Sequence, residues 1–278
     1  MVQRRIDPRS GETVSGGASM TPLSVLVITR NEEGNIAECL KSVSWADEII
    51  VVDAESKDKT ISIARQFTSK IYIEPWSGFA EAKAIGAGKS LHPWVFWLDA
   101  DERVTPELAK EVQSLLQSSP SMSAYTVARR AFFLGKWIRH SGWYPGRVAR
   151  LFRKDLASFS SASVHEGLDV QGTVGELRND LLHFTDPNLF HYLAKFNRYT
   201  SLASGDLHKG GRRFRIADMI VRPPWLFIKM YFLRFGFLDG IPGLLLALLS
   251  AAYVFTKYAK LWEAWESEGA LRVPERIS

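Results

Sequence analysis

The fold is decided by the stretch LSVLVITRNEEGNI, residues 23–36. Its first seven residues are continuously apolar and rich in β-branched side chains, which predicts a strand that is buried on both faces. A short helix is predicted to follow at Asn35–Val43. Further apolar runs recur along the chain, each followed by a helical pattern, and this alternation predicts a parallel sheet covered by helices on both sides. The later strands are Glu48–Val52, Lys70–Ile73 and Trp94–Leu98, and the later helices are Asp58–Phe67, Gly78–Ser90 and Thr105–Gln117.

The pattern changes from about Ser123 onward. Three more strands are predicted, but long loops rather than helices separate them, so this part has a mixed architecture. A helix at Pro187–Leu207 and two apolar helices follow. The chain is therefore predicted to be an α/β protein with a Rossmann-like central sheet and a C-terminal membrane-associated helical segment. The three strands are Tyr125–Phe133, Arg147–Phe152 and Glu176–Phe184, and the apolar helices are Pro224–Leu238 and Ile241–Glu266.

The composition is that of a globular chain. The 278 residues are 46% hydrophobic and 23% charged, which excludes a disordered or fibrous protein. The single cysteine, Cys39, excludes a disulfide framework and a cysteine-based zinc cluster, and it suits a reducing compartment. Residues 1–20 are polar and lack an apolar segment, which predicts a disordered tail and no signal peptide.

The charge is unevenly distributed. Residues 21–128 carry 10 Lys and Arg against 15 Asp and Glu, whereas residues 129–278 carry 22 against 13. Within the basic part, residues 129–154 hold eight basic side chains and no acidic one. We expect an acidic half that could hold a metal and a basic half that faces nucleic acid, a membrane surface or a phosphorylated lipid. A solvated basic face without a ligand is the alternative.

The C-terminal part carries most of the apolar excess. Gly240–Thr256 has seventeen residues without a charge, which is about 25 Å of helix and the lower limit for a membrane span. Basic residues flank this stretch on both sides, whereas a spanning helix usually has them on one side. We therefore expect residues 211–278 to form paired helices that lie in one leaflet. A buried helical hairpin in a soluble dimer is the alternative.

Polar residues follow three of the predicted parallel strands, at 29–33, 53–60 and 99–102. Ligands of open α/β sheets bind beyond these carboxyl ends. Asp99 and Asp101 are two residues apart in extended backbone, so their carboxylates point the same way. Such a pair repels unless a cation neutralises it, and oxygen ligands suit Mg²⁺ or Mn²⁺. Neither the dinucleotide nor the P-loop glycine fingerprint occurs in the chain.

At these residues the sequence resembles a known family. Leu23–Ile36, Asp53–Thr60 and Trp97–Asp101 are similar to the three signatures of the inverting family-two nucleotide-sugar glycosyltransferases, which have the GT-A fold. Four further motifs resemble those of bacterial glucosyltransferases of the lipopolysaccharide core, and the resemblance covers about residues 22–262. The four motifs are Trp76–Phe79, Arg150–Arg153, Val164–Glu166 and Leu238–Gly240.

The resemblance implies a donor half at residues 21–128 and an acceptor half at 129–210, which together form the GT-A domain. Thr29, Arg30 and Glu32 would line the uridine pocket of a UDP-sugar, and Asp53 would accept hydrogen bonds from the nucleotide. Asp99 would meet the ribose or sugar and Asp101 the metal, with Asp99 as a second metal contact. Arg30 stands where the family often has Tyr. Lys83 could reach the diphosphate or remain a surface lysine.

The acceptor side is expected in the basic half. An inverting displacement needs a base for the acceptor hydroxyl, and the resemblance implies Glu166, with His165 as the alternative base or as the residue that orients it. Aromatic faces stack on sugar rings and arginine binds phosphate in a bidentate manner. Trp143, Arg147 and Arg150 are therefore the candidate contacts for a phosphorylated glycolipid acceptor.

The resulting hypothesis is a metal-dependent enzyme that transfers a hexose, with glucose from UDP-glucose favoured, onto a membrane-embedded glycolipid with inversion. It would act at the cytoplasmic face of the bacterial inner membrane, without nucleic acid as a partner. Two alternatives stay open: transfer to a polyprenyl phosphate, and a membrane-anchored scaffold that binds a nucleotide sugar without turnover. The sequence does not distinguish glucose from galactose and does not give the oligomeric state.

Overall fold

A computed structural model describes residues 21–76, 78–159 and 167–271. Twelve strands and seven helices lie within these ranges. The strands are β1 (Leu23–Thr29), β2 (Glu48–Asp53), β3 (Ile71–Ile73), β4 (Trp94–Asp99), β5 (Glu102–Val104), β6 (Ala124–Phe133), β7 (Lys136–Trp137), β8 (Gly146–Arg153), β9 (Ala157–Phe159), β10 (Leu168–Val170), β11 (Val174–Glu176) and β12 (Leu181–Asp186). The helices are α1 (Ile36–Ser42), α2 (Thr60–Ala64), α3 (Phe79–Lys89), α4 (Pro106–Gln117), α5 (Leu189–Lys209), α6 (Ile216–Ile228) and α7 (Gly240–Leu271).

The first half of the chain builds a parallel sheet, as predicted. Its strands run in the order β3-β2-β1-β4, and every neighbouring pair is parallel. The pairing register sets Thr29 beside Asp53, and Ile28 beside Asp99. The carboxyl ends of β1, β2 and β4 are therefore level, and the polar residues that follow them meet at one edge of the sheet.

The second half extends the sheet from β4 in the order β8-β6-β12-β5. The pairs β4–β8, β8–β6 and β12–β5 are antiparallel, whereas β6–β12 is parallel. Strand β5 follows β4 by a two-residue turn, yet it pairs with β12 at the far end of this order. Because β5 lies next to β4 in the chain but pairs with β12, the sheet must curl, and this curl brings β12 next to the turn after β4.

Helices cover both faces of the parallel strands. One buried cluster joins α1 and α4 to the sheet and includes Leu40 and Val112. On the other face α3 packs on β1, and Gly86 permits the close approach because a Cβ there would lie 2.1 Å from a methyl carbon of Leu26. Each face removes a continuous apolar surface from water, which is the main stabilising contribution to the fold.

The helices of the C-terminal part differ from the prediction. The helix expected at Pro224–Leu238 is instead α6, which ends at Ile228, followed by a π-helical turn at Lys229–Leu233 and a 3-10 turn at Gly236–Asp239. Phe235 has a left-handed backbone (φ 56°) between the two turns, and this ends the helical path. A single helical run was therefore the wrong prediction for this segment.

Helix α7 packs against α5 as well as α6. The ammonium of Lys260 donates hydrogen bonds to the backbone and side-chain oxygens of Asn197 (2.9 and 2.8 Å), and the hydroxyl of Tyr253 donates to the carbonyl of Tyr199 (3.2 Å). Among the described residues, one segment, Gly236–Ser267, is long and apolar enough to cross a membrane, and 22% of its most apolar window is buried. We call α5, α6, α7 and the two turns the helical module.

Several smaller elements also differ from the prediction. The strand expected at Glu176–Phe184 is two strands, β11 and β12, and both pair with β6. Helix α2 is shorter than predicted, although the carboxylate of Asp58 does accept a hydrogen bond from the backbone N–H of Thr60 (3.0 Å). The remaining short strands, β5, β7, β9 and β10, were not predicted.

Candidate active site

The loops that follow β1 and β2 are locked together at the edge of the sheet. The backbone N–H of Asn31 donates to the hydroxyl of Ser56, and the side-chain carbonyl of Asn31 accepts from the backbone N–H of Lys57, each at 2.8 Å. The backbone N–H of Glu32 donates to the hydroxyl of Thr60, also at 2.8 Å. These bonds give the two polar loops one fixed relative geometry.

The predicted nucleotide residues lie on this rim at different depths. Asp53 is fully buried, and its two carboxylate oxygens accept from the backbone N–H (2.8 Å) and the hydroxyl (2.6 Å) of Ser56. Thr29 is buried too, and its hydroxyl has no hydrogen-bond partner among the described residues. Glu32 is half-buried, and burial raises the pKa of its carboxyl.

Arg30 is exposed and lies beside an aromatic ring that the sequence analysis did not assign to the site. Its guanidinium carbon is 5.8 Å from the ring centroid of Trp76, and that of Arg198 from α5 is 5.7 Å from the same ring. Trp76 therefore links the donor-side rim to the helical module. An aromatic face is thus present near Arg30, although it comes from another part of the chain.

Asp99 at the end of β4 is surrounded by cations. One carboxylate oxygen accepts a hydrogen bond of 3.0 Å from Nη2 of Arg150, and the same nitrogen donates to the carboxylate of Glu102. Trp97 positions both nearby cations, because the ammonium of Lys83 is 4.1 Å and the guanidinium carbon of Arg150 is 3.5 Å from its ring centroid. Lys83 is 5% exposed and is therefore not a surface lysine.

This charge cluster shifts the pKa values of its two carboxylates in opposite directions. Burial opposes the ionisation of Asp99, but the positive charges of Arg150 and Lys83 outweigh it and hold the pKa of Asp99 below its ordinary value. Burial raises the pKa of Glu102 against the effect of Arg150, and the charge of Asp99 adds to that rise. The positive charges therefore favour the ionised form of Asp99, whereas burial disfavours the ionised form of Glu102.

Asp101 faces a histidine across the curl of the sheet. A carboxylate oxygen of Asp101 lies 3.4 Å from Nε2 of His183 on β12, and the carbonyl of Asp101 accepts from the backbone N–H of Phe184 (2.9 Å). Burial disfavours the charged imidazole, but the hydrogen bond and negative charge of Asp101 raise the pKa of His183 above its ordinary value. The pair offers one oxygen and one nitrogen donor at the end of β4.

The donor set suits a divalent cation that shares its remaining positions with a ligand. Within the described ranges, no three His, Cys, Asp or Glu side chains form a group that could hold a metal ion by themselves. Asp101 and His183 supply two donor atoms, and Mg²⁺ or Mn²⁺ commonly completes its coordination with phosphate oxygens and water. Asp99 is paired with Arg150 in this arrangement, so the fit is better for Asp101 with His183 than for Asp99 with Asp101.

The three candidate acceptor residues are not brought together. Arg147 is exposed, and its guanidinium lies 3.4 Å from the carboxylate of Glu176. Trp143 is half-buried and packs edge-on against Phe133 at a centroid distance of 6.3 Å. Arg150 is 1% exposed and lies among the donor-side carboxylates rather than on the basic surface where we expected it. Side chains of a strand point alternately to its two faces, and the side chain of Arg150 points to the buried face of β8.

Glu166 and His165, the candidate bases, lie outside the described residues, as do residues 1–20. The strands on either side of that segment, β9 and β10, form an antiparallel pair. The ring of Phe159 on β9 meets the ring of Trp97 edge-on at 5.9 Å. Phe159, the last described residue before this segment, therefore contacts the indole ring that lies beside Lys83 and Arg150.

Four residues of this site were not assigned to it from the sequence: Trp76, Trp97, Glu102 and His183. Trp97 was placed in the strand before Asp99, and its position two residues before Asp99 is the signal that both face the same side. His183 was left without an assigned role. Its pairing with Asp101 depends on the β5–β12 contact, for which the local sequence gives no signal.

Comparisons with known proteins agree with the sequence signatures. The chain is 30% identical over 264 residues to the lipopolysaccharide core biosynthesis glycosyltransferase LpsC of Rhizobium meliloti, which covers 92% of this chain and 98% of that protein. It is 29% identical to an uncharacterized glycosyltransferase of Rickettsia typhi over 88% of each chain. The structure of Staphylococcus aureus TarS 1–349 in complex with UDP covers 89% of this chain and 92% of that one at 14% identity, with a TM-score of 0.45, a likeness too distant to inform the site. Residues 24–166 match the model of glycosyl transferase family 2, and the chain belongs to that family.

Proposed function

We propose that this glycosyltransferase transfers a hexose, with UDP-glucose as the favoured donor, onto a lipid-linked saccharide of the lipopolysaccharide core type, with inversion at the sugar. The observation that carries the proposal is the carboxylate pair at the end of β4, where Asp99 meets two cations and Asp101 meets His183. The similarity to LpsC over 92% of the chain supports the acceptor class. The family signature supports the use of a nucleotide sugar.

The donor would bind across the locked loops of β1 and β2. In this proposal Thr29, Arg30 and Glu32 contact the uridine. Asp53 acts indirectly, because its hydrogen bonds to Ser56 fix the loop after β2. Asp99 would accept hydrogen bonds from the ribose or the sugar. Lys83 would offer its charge to the diphosphate, since its ammonium is held above Trp97 at the same edge of the sheet.

Asp101 and His183 would hold Mg²⁺ or Mn²⁺ in this proposal. A bound divalent cation supplies Lewis-acid neutralisation of the charge that develops on a departing nucleoside diphosphate. His183 would bind as the neutral imidazole. The chain itself would keep the surrounding carboxylates apart by pairing Asp99 with Arg150.

The acceptor would enter from the basic half. Glu166 would take the proton of the attacking hydroxyl, with His165 as the residue that orients it or replaces it as base. Trp143 and Arg147 would contact the saccharide or its phosphate. The apolar surface of the helical module would lie against the cytoplasmic leaflet of the inner membrane, because large side chains such as Trp225 and Ile241 are 57% and 74% exposed.

The test is donor turnover. Purified protein in detergent is incubated with a panel of UDP- and GDP-sugars, with and without Mn²⁺, and released nucleotide is counted. We expect metal-dependent release from UDP-glucose that rises when rough lipopolysaccharide is added. Release that requires polyprenyl phosphate instead would favour transfer to that lipid, and binding without release from any donor would favour the non-catalytic scaffold.

A matched pair of variants tests the metal residues in the same assay. Asp101→Asn is expected to lose the Mn²⁺-dependent part of UDP affinity, whereas Asp155→Asn, an exposed aspartate that pairs with Arg153, is expected to keep it. His183→Gln should weaken the same metal-dependent part. Unchanged Mn²⁺-dependent affinity in Asp101→Asn would contradict the assignment.

A further inference from the structure

A cavity of about 350 Å³ lies where the loop before β8 meets the helical module, at a position that the proposed donor site does not use. It is open to solvent and is lined by residues of α5, α6, the π-helical turn and α7. Its lining contains two cations and no carboxylate. The lining includes six residues with polar side-chain atoms: Ser141, Trp143, Tyr192, Lys229, Arg234 and Tyr253.

Ser141 is the first sign that the cavity takes a polar ligand. Its side chain is 3% exposed, and its hydroxyl has no hydrogen-bond partner among the described residues. A buried hydroxyl without a partner costs about 1–3 kcal/mol, so such groups are usually satisfied by protein, water or ligand. Ser141 lines the cavity, but its oxygen is covered in this conformation, so the hydroxyl reaches a ligand only after rotation about its Cα–Cβ bond.

The two cations of the lining indicate that the ligand is negatively charged. Neither Lys229 nor Arg234 forms an ion pair with a carboxylate of the described chain, unlike Arg212 and Arg222 of the same module, which both pair with Asp218. The guanidinium of Arg234 lies against Gly142, where a Cβ would be 1.8 Å from its Nη1, and both cations are otherwise exposed to solvent. A guanidinium and an ammonium that line one cavity form a donor set for a phosphate group.

The surroundings of the cavity are apolar and exposed. Ile228 and Leu233 flank the π-helical turn and are 42% and 58% exposed, and Leu238 in the 3-10 turn is 58% exposed. Trp143, Tyr192 and Tyr253 line the cavity itself, and such aromatic side chains combine an apolar ring with a polar atom, as is typical of membrane interfaces. A ligand with a phosphate at one end and hydrocarbon at the other matches both the cavity and this rim.

We propose that the cavity binds the phosphate group of a phosphorylated membrane amphiphile, whose acyl chains lie on the exposed apolar surface of the helical module. The inference rests on the proposed membrane association and is independent of the donor chemistry. Lys229 and Arg234 contact the phosphate oxygens, the hydroxyl of Ser141 turns to donate to one of them, and the rings of Tyr192 and Tyr253 line the cavity beside them. Headgroup binding at this site sets the orientation of the protein on the leaflet.

The experiment measures binding of three water-soluble probes to the purified full chain: dioctanoyl phosphatidic acid, dioctanoyl phosphatidylcholine and inorganic phosphate. We expect the phosphatidic acid to bind at least tenfold more tightly than either of the others. Lys229→Gln and Arg234→Gln should each weaken it by about fivefold or more, and Ser141→Ala, which changes no charge, by about threefold. UDP affinity, measured on every variant, reports that the donor half is folded.

Arg213→Gln is the matched control. Arg213 is an exposed arginine between α5 and α6 and does not line the cavity, so its loss should change the affinity less than twofold. Equal losses in Arg213→Gln and Arg234→Gln would overturn the site in favour of general surface charge. Equal affinity for the two lipids would overturn it too, as would inorganic phosphate that binds as tightly as the phosphatidic acid. Failure of the donor-turnover test leaves these binding results unchanged, so the two proposals fail separately.

Competition distinguishes the two sources of such a phosphate. Rough lipopolysaccharide and phosphatidylglycerol are each titrated against bound phosphatidic acid, and rough lipopolysaccharide is also used after chemical removal of its phosphates. Displacement by the intact form at a lower concentration than by phosphatidylglycerol would identify the ligand as the glycolipid acceptor. Displacement by both at equal concentrations would identify an acidic phospholipid. Displacement by the dephosphorylated form as effectively as by the intact form would overturn the role of the phosphate.

Discussion

Arg150 connects the two carboxylates that most affect the chemistry of the strand edge. It is 1% exposed, and a single nitrogen, Nη2, donates to both Asp99 and Glu102. Its other two guanidinium nitrogens have no hydrogen-bond partner among the described residues, and its guanidinium carbon lies 3.5 Å from the ring centroid of Trp97. The side chain is therefore held by charge and stacking together, a combination that lysine cannot reproduce.

Removal of Arg150 should destabilise the protein strongly. Arg150→Met leaves the buried Glu102 and the half-buried Asp99 without their cation, and the loss of one partner from a buried ion pair costs about 3–5 kcal/mol. Urea unfolding measures the free energy of unfolding. Arg153→Met, on the same strand, removes an arginine that is 44% exposed and pairs with Asp155, so it should leave the free energy of unfolding almost unchanged. Equal effects of the two variants would show that the buried network contributes no special stability.

The sequence predicted the aspartates of this cluster, but it did not predict their basic partners. Asp99 and Asp101 could be assigned to a site because they follow an apolar strand and share a face by local geometry. Arg150 looked like one member of a basic surface, because the eight cations of residues 129–154 do not reveal which of them faces inward. His183 carries no local signal, since its partner is set by strand order. Residue-scale prediction therefore succeeds where the neighbours are close in sequence.

The same limit applies to the elements. The strands β1, β2 and β4 and the helices α1, α3 and α4 were predicted within a few residues. The strands are continuous apolar runs, and α4 has an amphipathic pattern and a clear boundary at Thr105, whose hydroxyl caps it. Strands of two or three residues, such as β5 and β9, have too little pattern to be recognised. The break at Phe235 follows from packing against the loop at Ser141, whose N–H donates to the carbonyl of Arg234 (2.9 Å).

The 3-10 turn before α7 fastens the helical module to the sheet through Asp239. This aspartate is 2% exposed and accepts hydrogen bonds from the backbone N–H groups of Arg139 (3.2 Å) and His140 (2.9 Å), while its carbonyl accepts from the ammonium of Lys136 (2.8 Å). Two elements about one hundred residues apart in sequence thus share one carboxylate. The contact holds the loop before β8, on which Ser141 and Trp143 lie.

Asp239→Ala should release this loop without unfolding the parallel sheet. The amides of Arg139 and His140 lose their acceptor, and we expect their hydrogen exchange to accelerate at least tenfold while the amides of β1 keep their protection. Asp218→Ala is the control, because Asp218 on α6 pairs with Arg212 and Arg222 and contacts neither amide. Unchanged exchange at residues 139–140 in Asp239→Ala would mean that other contacts fix the loop.

At the scale of the whole molecule, charge and apolar surface are segregated. The acidic half carries the edge of the parallel sheet and its carboxylates, and the basic half carries the loop at the cavity and the helical module. Exposed large apolar side chains are concentrated in that module, whereas β1 and β4 bury theirs. A protein arranged in this way would present its module to a membrane and keep the donor edge in water, where a nucleotide sugar is dissolved.

Two single substitutions compare the halves of this arrangement. Ile241 in the first turn of α7 is 74% exposed, and Leu91, which precedes β4 at the opposite edge of the sheet from the donor site, is 70% exposed. Burial of such a side chain in a membrane contributes about 1.5–3 kcal/mol, and an aspartate there opposes burial. We expect Ile241→Asp to weaken binding to phosphatidylglycerol-containing vesicles by about tenfold or more in a sedimentation assay, and Leu91→Asp to leave it within twofold of the unmodified protein.

Because the two leucine-sized side chains are almost equally exposed, general hydrophobicity predicts equal losses, and only a directed membrane surface predicts the difference. Equal losses would therefore contradict the orientation in which the helical module faces the leaflet.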